Sequence, residues 1–446
     1  MKQLSTYEDI RQAISELPVI DTHEHTISHL LAPEPKEPIA NLVFDYTCDD
    51  LLSAGAGSLT GYFGDQDIPT ETKWLKFIKY WKQIEFTGYA LLTKRIMLDF
   101  YGEGEMTLDA LQRIRARLID QQDPEVYDRI IKEANIKCRL LDSLGTIRGE
   151  FTPLEGEILA GERELHHLDR FLIHLTEYHH MIQRWKTVQQ MVRPSEVMIK
   201  TLDDYLVVCR EKFQTLKQKG AVGIKDQSAY FRSLHFENAA RSQAEPLFNR
   251  IIEDPRQSLG WPENKPLDDY LWHRFMEIAA ELDLPVQLHT GHLADNTGIF
   301  RNDVTKANAI LLTNTVEFHK DVRFDLLHGN WPYTGELLFL VKNYPNVYMN
   351  LTWLHIISPI AVRNLLNEAV GTIPHSKIIA FGGDHRDSAV HIAAHLSIAL
   401  DNIAWALADQ VDTGWIKSRE AVQIAADWLF NNPNEFYKLG FEPVIL

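Results

Sequence analysis

The chain has 446 residues, of which 45% are hydrophobic and 24% charged, a composition that supports a large buried core and argues against disorder. Its formal net charge of −17 argues against a nucleic-acid-binding or anionic-membrane surface, because both partners are themselves negatively charged. The three cysteines, Cys48, Cys138 and Cys209, form no Cys-x-x-Cys motif, so neither a disulfide framework nor a structural zinc knuckle is expected.

The N-terminal part of the chain predicts a helix over 6–16, with Thr6 as its N-cap, and a first strand over about 18–22. Residues 31–70 contain many prolines and glycines and are predicted to be loop-like. Three later stretches have apolar residues at helical spacing: Trp74–Ile84, Thr107–Ile119 and 124–131. We interpret 31–134 as a helical insertion within a single domain that spans 1–446.

After the insertion, short apolar strands alternate with helices, a pattern that is typical of a parallel sheet. With the first strand, the predicted strands are Ile136–Asp142, Arg170–Leu175, Ala221–Lys225, Pro285–His289, Val322–His328, Val347–Leu351 and Lys377–Phe381. The predicted helices between them are Leu202–Lys217, Leu271–Leu282, Ala307–His319, Gly335–Asn343 and Ala361–Val370. Eight such strands close an α/β barrel, so we predict a (β/α)₈ TIM barrel with a large helical insertion after the first strand.

No signal-peptide pattern opens the chain, and no apolar run in the sequence reaches the length of a membrane span. We therefore expect a cytoplasmic protein without a membrane or nucleic-acid partner. The apolar, aromatic-rich helices over 73–101 would cover the barrel or form a homo-oligomer interface, and the sequence leaves both open.

His23 and His25 follow the first strand and are separated by one residue. Alternate side chains of an extended strand point to the same face, so both imidazoles can reach one metal ion. Asp21 is predicted to point the same way and to support the ligands. The spacing alone is weak, because His-x-His occurs by chance.

Four further residues follow or end strand-like runs in the same manner: Lys225, His289, His328 and Asp384. In a barrel the carboxyl ends of the strands converge on one face, so these residues are expected to meet His23 and His25 in one pocket. Taken singly, each has an ordinary structural role, as a hydrogen-bonded histidine, a salt-bridged lysine or a turn residue. Imidazole and carboxylate groups together suit zinc and related divalent ions.

The chain resembles the amidohydrolase superfamily of metal-dependent TIM barrels over about 18–30 and 135–440. Within it, the chain is most similar to the amidohydrolase-related branch, which includes amidohydrolase domains fused to glutamine synthetase in fungal and plant nodulin-like proteins. The matching segments are Ile20-Asp21-Thr22-His23-Glu24-His25, Gly223-Ile224-Lys225, Pro285-Val286-Gln287-Leu288-His289-Thr290-Gly291, Leu326-Leu327-His328-Gly329 and Gly383-Asp384.

The resemblance implies that His23, His25 and Asp384 bind one divalent metal, with zinc expected first and manganese or iron as alternatives. In two-metal members a carboxylated lysine bridges the ions, and Lys225, His289 and His328 occupy the matching places. Single-metal members lack the bridge, and an unmodified Lys225 would instead hold a substrate carboxylate or carbonyl. One or two metals therefore remain open.

The implied reaction is hydrolysis of an amide, lactone or ester-like carbonyl in a small substrate, with Asp384 as general base and His328 and Lys225 as further catalytic groups. Arg232 and Arg386 are candidate clamps for a substrate carboxylate, since guanidinium binds carboxylate bidentately, although structural salt bridges are equally expected. His292 is placed at the pocket mouth as a substrate contact.

Three other classes of function stay open. Uronate isomerases share the His-x-His start, the insertion after strand one and an Asp-x-Arg near the last strand, here Asp384-His385-Arg386. Nonoxidative decarboxylases are single-metal relatives, and Lys225 argues mildly against this class. A non-enzymatic binding protein would contain no metal.

Overall fold

The computed structural model of the protein describes residues 5–25, 29–143, 153–180, 182–183, 185–254, 256, 258–294 and 303–446. Within them eight strands form one parallel sheet in which neighbours in sequence are neighbours in space. They are β1 (Val19–Glu24), β2 (Ile136–Leu141), β3 (Asp169–His174), β4 (Ala221–Asp226), β5 (Val286–Leu288), β6 (Phe324–Leu326), β7 (Val347–Asn350) and β8 (Ile378–Ile379).

The sheet closes on itself between β1 and the segment that follows β8. The Thr22 amide donates to the Phe381 carbonyl at 3.2 Å, and the Asp384 amide donates to the His23 carbonyl at 2.8 Å. Parallel order with closure is the architecture of a (β/α)₈ TIM barrel, which confirms the predicted fold. Every predicted strand is present, with bounds that differ by a few residues.

The helices before β2 are α1 (Thr6–Ile14), α2 (Pro38–Leu42), α3 (Thr47–Ser53), α4 (Leu59–Gly64), α5 (Thr70–Ile84), α6 (Gly88–Tyr101), α7 (Leu108–Arg115) and α8 (Pro124–Glu133). Those after β2 are α9 (Pro153–Ala160), α10 (Thr176–His179), α11 (Trp185–Met191), α12 (Leu202–Gln218), α13 (Arg241–Glu253), α14 (Lys265–Glu281), α15 (Thr313–Phe318), α16 (Thr334–Asn343), α17 (Leu354–Ile357), α18 (Pro359–Thr372), α19 (Ala389–Asp412), α20 (Ser418–Ala426) and α21 (Asn432–Tyr437).

The stretch 31–70, which the sequence predicted to be loop-like, contains three short helices, α2, α3 and α4, joined by loops. Pro38 stands at the start of α2 and Gly64 at the end of α4. Proline fits the first turn of a helix, because the amide it lacks has no intrahelical acceptor there. Glu37 caps α2 through Ile39 N and Ala40 N, so a cap outside the usual set hid this helix.

The first helix also differs in its cap. Ser5, not the predicted Thr6, is the N-cap of α1, and Ser5 and Glu8 form a capping box in which each side chain accepts from the other's backbone. The three-residue spacing between Ser5 and Glu8 is the spacing of a capping box, so the sequence itself indicates Ser5 as the N-cap, one residue before Thr6.

Apolar side chains fill the lower part of the barrel. The cluster comprises Ile20, Cys138, Leu140, Leu172 and Ile379 from the strands and Phe430, Phe436 and Tyr437 from the C-terminal helical segment. Above it, Gln287 Nε2 donates to Asp325 Oδ2 at 3.1 Å and Asn350 Nδ2 donates to the same oxygen at 2.9 Å. This closed floor leaves only the carboxyl ends of the strands to form a pocket. All three cysteines are free thiols, as predicted.

One helix, α19, is long and apolar enough by length and composition to cross a membrane, which the sequence analysis had not identified. Most of its apolar stretch is buried inside the protein, where it packs against α1, α6 and α18. These contacts are those of a core helix.

Gly291 lies where the loop after β5 meets the loop after β6, with φ at +72°. An added Cβ would lie 2.4 Å from the Trp331 carbonyl oxygen and 2.5 Å from the Asn330 carbonyl carbon, which are backbone atoms. We expect Gly291→Ala to lower the free energy of unfolding by at least about 2 kcal/mol, measured in denaturant. Gly414→Ala is the matched control, because Gly414 has φ at +76° and nothing within 4 Å. Equal losses in the two variants would contradict a steric origin.

Candidate metal centre

Three predicted ligands converge at the pocket between β1 and β8. His23 Nε2 and His25 Nε2 lie 3.3 Å apart, and Asp384 Oδ1 lies 3.5 Å from the first and 3.0 Å from the second. All three residues are buried, and in the described part of the chain they form the one His/Cys/Asp/Glu group whose ligand atoms cluster closely enough for a metal. The two histidines share a face, as predicted from their spacing.

A hydrogen bond orients His25 for metal binding. His25 Nδ1 lies 3.0 Å from the Asp142 carbonyl oxygen, and a carbonyl only accepts, so Nδ1 carries a proton and Nε2 is the ring nitrogen that can offer a lone pair to the cluster. Burial and then the Lys225 charge lower the pKa of His23 well below its usual value. Neutral imidazoles and a carboxylate form a donor set that fits a divalent cation.

A second pair of histidines stands at the ends of β5 and β6. His289 Nδ1 and His328 Nε2 face each other at 3.0 Å. The opposite nitrogens are bound to carbonyl oxygens, His289 Nε2 to His292 O at 2.7 Å and His328 Nδ1 to Thr352 O at 3.0 Å. Both inward nitrogens therefore carry lone pairs, which a cation between them would reconcile. Burial lowers the pKa of His328 to about 3 and also that of His289, so both rings are neutral.

Lys225 lies next to both groups. Its side chain is fully buried, and Nζ has no hydrogen-bond partner among the described residues. Burial lowers the pKa of Lys225, against the opposing pull of nearby carboxylates, and its charge in turn lowers the pKa of His23 and His289. An unsatisfied buried amine is costly unless a ligand or a modification uses it.

The backbone of β1 holds the turn that carries Asp384. Three consecutive amides of this turn donate to β1: Gly383 N to Asp21 Oδ1 at 3.0 Å, Asp384 N to His23 O at 2.8 Å, and His385 N to Glu24 Oε2 at 3.0 Å. Asp384 itself has φ at +58°, a conformation that costs about 1–3 kcal/mol for such a residue and recurs at functional sites. The first strand therefore both supplies two of the candidate ligands and orients the third.

Asp21 and Glu24 are brought together by an irregularity in the β1–β2 register that falls between them. A regular strand would place residues three apart on opposite faces. Burial raises the pKa of Asp21, and burial and then the Asp21 charge raise the pKa of Glu24 well above its usual value. Two carboxyl groups in contact share a proton, so Glu24 can donate to Asp21 while accepting from the turn. Asp21 thus supports Asp384 and does not act as a ligand.

The insertion reaches the same turn through Asp45 and Tyr46, which lie between α2 and α3. Asp45 Oδ2 pairs with His385 Nδ1 at 3.0 Å, and Asp45 Oδ1 pairs with Arg386 Nη2 at 3.2 Å. The Tyr46 hydroxyl donates to the Asp384 carbonyl oxygen. Arg386 keeps 45% of its side chain exposed, so its role as a substrate clamp stays a prediction.

Arg232 is not available to a substrate, which corrects the sequence-based prediction. Its side chain is buried, with Nη1 3.1 Å from Asp268 Oδ2 and Nη2 2.6 Å from Asp269 Oδ1. Its guanidinium carbon also lies 4.3 Å from the centre of the Phe236 ring. A cation already neutralised by two buried carboxylates has no free edge for a third, so Arg232 is part of a structural ion-pair network.

His292 lies against an aromatic wall. Its ring centre is 4.9 Å from that of Trp353, and Nε2 is 3.5 Å from the Tyr89 hydroxyl. Trp353 in turn stacks on Tyr46 at 4.5 Å. Burial lowers the pKa of His292 to about 4, so the ring is neutral. His292 remains a predicted substrate contact.

Sequence reasoning missed Asp142, His174 and Glu24. Asp142 directly follows β2 and His174 is the last residue of β3. The pattern that identifies Lys225, a polar residue at the carboxyl end of a strand, also applies to Asp142 and His174. Glu24 lies between two histidines and gave no separate signal.

Residues 256–438 match the model of the amidohydrolase family. In sequence, the chain is 30% identical over 231 residues to protein fluG of Emericella nidulans, a match that covers 50% of this chain and 26% of that protein. The chain thus matches about a quarter of the length of this curated relative.

Two solved structures share the fold over nearly the whole chain. One is a uronate isomerase of Thermotoga maritima, with 12% identity, a TM-score of 0.75 and 97% of each chain covered. Another is a Lactobacillus casei protein inferred to be a metal-dependent hydrolase, with 16% identity, a TM-score of 0.64, and 96% of this chain and 97% of that one covered. At such identities the likeness concerns the fold alone. The family match over residues 256–438 and the candidate ligand set at the strand ends support the resemblance of this chain to the amidohydrolase superfamily.

Proposed function

We propose that the protein is a metal-dependent hydrolase that cleaves an amide, lactone or ester-like carbonyl of a small substrate. The observation that carries the proposal is the convergence of His23 Nε2, His25 Nε2 and Asp384 Oδ1 within 3.0–3.5 Å of one another. A divalent metal bound there, with zinc expected first, would act as an electrophile and lower the pKa of water toward about 7. No large anionic partner is proposed, because the chain's net charge is −17.

In this proposal, side chains of the protein bind the substrate and transfer the proton of the attacking water. Asp384 accepts a proton from the attacking water and passes it to the leaving group. His328, which keeps Nδ1–H on the Thr352 carbonyl, presents an unprotonated Nε2 to the pocket. With His289 it would bind a second metal, or in a single-metal enzyme it would accept a hydrogen bond from the substrate. The aromatic wall of Trp353 and Tyr89 excludes water from one side of the pocket.

Lys225 is proposed to be carboxylated on Nζ and to bridge two metals. The neutral amine adds CO₂ through a new N–C bond and loses one N–H proton to solvent, which gives the carbamate anion, and burial favours the neutral amine by lowering the pKa of Lys225. We expect the protein equilibrated with ¹³C-bicarbonate and zinc to show one carbamate carbon signal in NMR, and Lys225→Ala to abolish it. Lys212→Ala is the matched control, because Lys212 is also buried with a lowered pKa but bonds to the Met191 carbonyl. A signal that survives Lys225→Ala would contradict the assignment.

The test of the function is metal content by mass spectrometry on protein purified without chelators, followed by a panel of amides, lactones and esters. We expect bound metal together with hydrolysis of at least one panel member that a chelator abolishes and zinc restores. About two equivalents per chain would support the bridge, and one would favour the single-metal site. Protein without metal, or hydrolysis that is indifferent to chelator, would refute the proposal.

Isomerisation of a uronate is the second candidate. The observation in its favour is the Asp384-His385-Arg386 turn, in which Arg386 is held beside the ligand Asp384 by a residue of the insertion. An aldose–ketose assay on a uronate separates the two functions. Interconversion without hydrolysis of any panel member would move the assignment to isomerase.

A further inference from the structure

One side of the pocket, between β2 and β4, contains polar side chains that the metal centre does not use. His174 pairs in register with Lys225 across β3 and β4, and registered neighbours point to the same face of a sheet. Gln227 follows Lys225 by two positions, which returns its side chain to that face. His174 and Gln227 are both buried, at 2% exposure each.

A single carboxylate, Asp142, organises both side chains. His174 Nδ1 lies 2.9 Å from Asp142 Oδ1, and Gln227 Nε2 lies 2.9 Å from Asp142 Oδ2. Because a carboxylate accepts, His174 presents Nδ1–H to it and Gln227 presents its NH₂ group. The orientation of both groups is thereby fixed, without the ambiguity of an imidazole or amide flip.

The far ends of the two side chains are left for a ligand. No residue that the structure describes bonds to His174 Nε2, and Gln227 Oε1 is a buried oxygen without a partner in the same set. Burial alone would lower the pKa of His174, but the Asp142 carboxylate raises it to about 9. His174 therefore offers a charged N–H donor at neutral pH, and Gln227 offers an acceptor. Asp142 also accepts from the ligand His25 through its backbone oxygen at 3.0 Å, so this side adjoins the metal centre.

We propose that His174 and Gln227 form a substrate subsite that binds a 2-hydroxy or 2-amino carboxylic acid group. The carboxylate accepts from His174 Nε2–H in a charge-assisted hydrogen bond. The adjacent hydroxyl or amino group donates to Gln227 Oε1. Since both side chains are anchored on the two oxygens of one carboxylate, their free atoms are within the span of one small molecule. The subsite adds a substrate class to the proposed hydrolase function, and its assignment to substrate binding rests on that proposed function.

The test is a titration with glycolate, the smallest 2-hydroxy acid, of zinc-loaded and of metal-stripped protein, followed by calorimetry and by ¹⁵N-histidine NMR. We expect glycolate to shift the His174 Nε2 signal in both forms, which separates the subsite from carboxylate binding to metal. His174→Phe should raise the glycolate Kd about tenfold or more, because a hydrogen bond to a charged group is lost. His174→Gln, which keeps a terminal N–H donor, should restore part of the affinity. Zinc content should be equal in all of them.

A second variant keeps the test decisive if His174→Phe does not fold. Wild-type protein should prefer glycolate over acetate, which lacks the hydroxyl, and Gln227→Leu should remove that preference. Unchanged glycolate affinity in His174→Phe, an unchanged preference in Gln227→Leu, or no binding to wild type would each overturn the subsite. Failure of the hydrolase proposal would appear as absent metal or absent hydrolysis. Glycolate binding to metal-stripped protein measures the subsite independently of both.

Discussion

Replacement of Asp384 by asparagine is expected to lower kcat by about 10³-fold or more, because one change removes both a metal ligand and the group that moves the proton. Its Oδ1 is the point from which His23 Nε2 and His25 Nε2 are 3.5 and 3.0 Å away. The fold should survive. Asparagine adopts left-handed backbone angles readily, so the φ of +58° at this position is kept without added strain. The measurement is steady-state kinetics on the hydrolysed panel substrate, with thermal unfolding alongside.

Asp169→Asn is the matched control for that experiment. Asp169 is also a buried barrel aspartate, but it begins β3 at the opposite end from the pocket and pairs with Arg139 at 2.8 Å. We expect it to lower thermal stability and to leave kcat within about twofold, since an unpaired buried charge acts on folding and not on the site. Full kcat in Asp384→Asn would exclude Asp384 as the base. Equal losses of kcat in both variants would show that the effect is a general one.

The convergence of the candidate ligands was predictable from the sequence, because strand order and strand ends determine which residues meet at one face of a barrel. Once β1, β4, β5 and β6 are identified, the closure of the sheet forces His23, Lys225, His289 and His328 to the same face. No knowledge of side-chain packing is needed for that step. The same rule, applied to β2 and β3, would have added Asp142 and His174.

Roles that depend on a partner could not be predicted in this way. Arg232 was assigned to a substrate carboxylate because guanidinium suits one, yet its partners are Asp268 and Asp269 on α14. Which carboxylate an arginine meets is decided by tertiary packing, and the sequence spacing carries no information on it. Arg386 likewise meets Asp45, from an insertion in which the sequence showed no motif.

The structure of the insertion, residues 31–134, also depends on tertiary packing that local sequence patterns do not predict. One of its short helices begins at the unusual cap Glu37, and another ends at Gly64, so the local sequence pattern predicted loops where packing stabilises helices. Between two of these helices, Asp45 and Tyr46 touch the turn that holds Asp384. A region without any recognisable motif in the sequence therefore contributes to the orientation of the candidate ligand Asp384. Long-range contacts of this kind are set by the whole fold.

Glu24 provides the sharpest test of how β1 orients that ligand. Glu24→Ala removes the acceptor of the His385 amide and leaves that buried N–H unpaired. Because partners of metal ligands typically contribute 10–100-fold to metal affinity, we expect the zinc Kd to rise by about that factor. Glu24→Gln should stay within about threefold of wild type. Its amide oxygen still accepts from His385 N, and its NH₂ group donates to Asp21 as the protonated carboxyl does.

The contrast between the two variants follows from the raised pKa of Glu24, which favours the protonated carboxyl that glutamine imitates. Zinc affinity is measured by competition with a chromophoric chelator at neutral pH. Glu37→Ala serves as the control, since Glu37 is a buried glutamate that pairs with Lys73 at 2.7 Å in the insertion. It should lower stability and leave the zinc Kd unchanged. If Glu24→Gln weakens zinc as much as Glu24→Ala, the two acids do not share a proton. If neither variant weakens zinc, the turn holds Asp384 without help from this side chain.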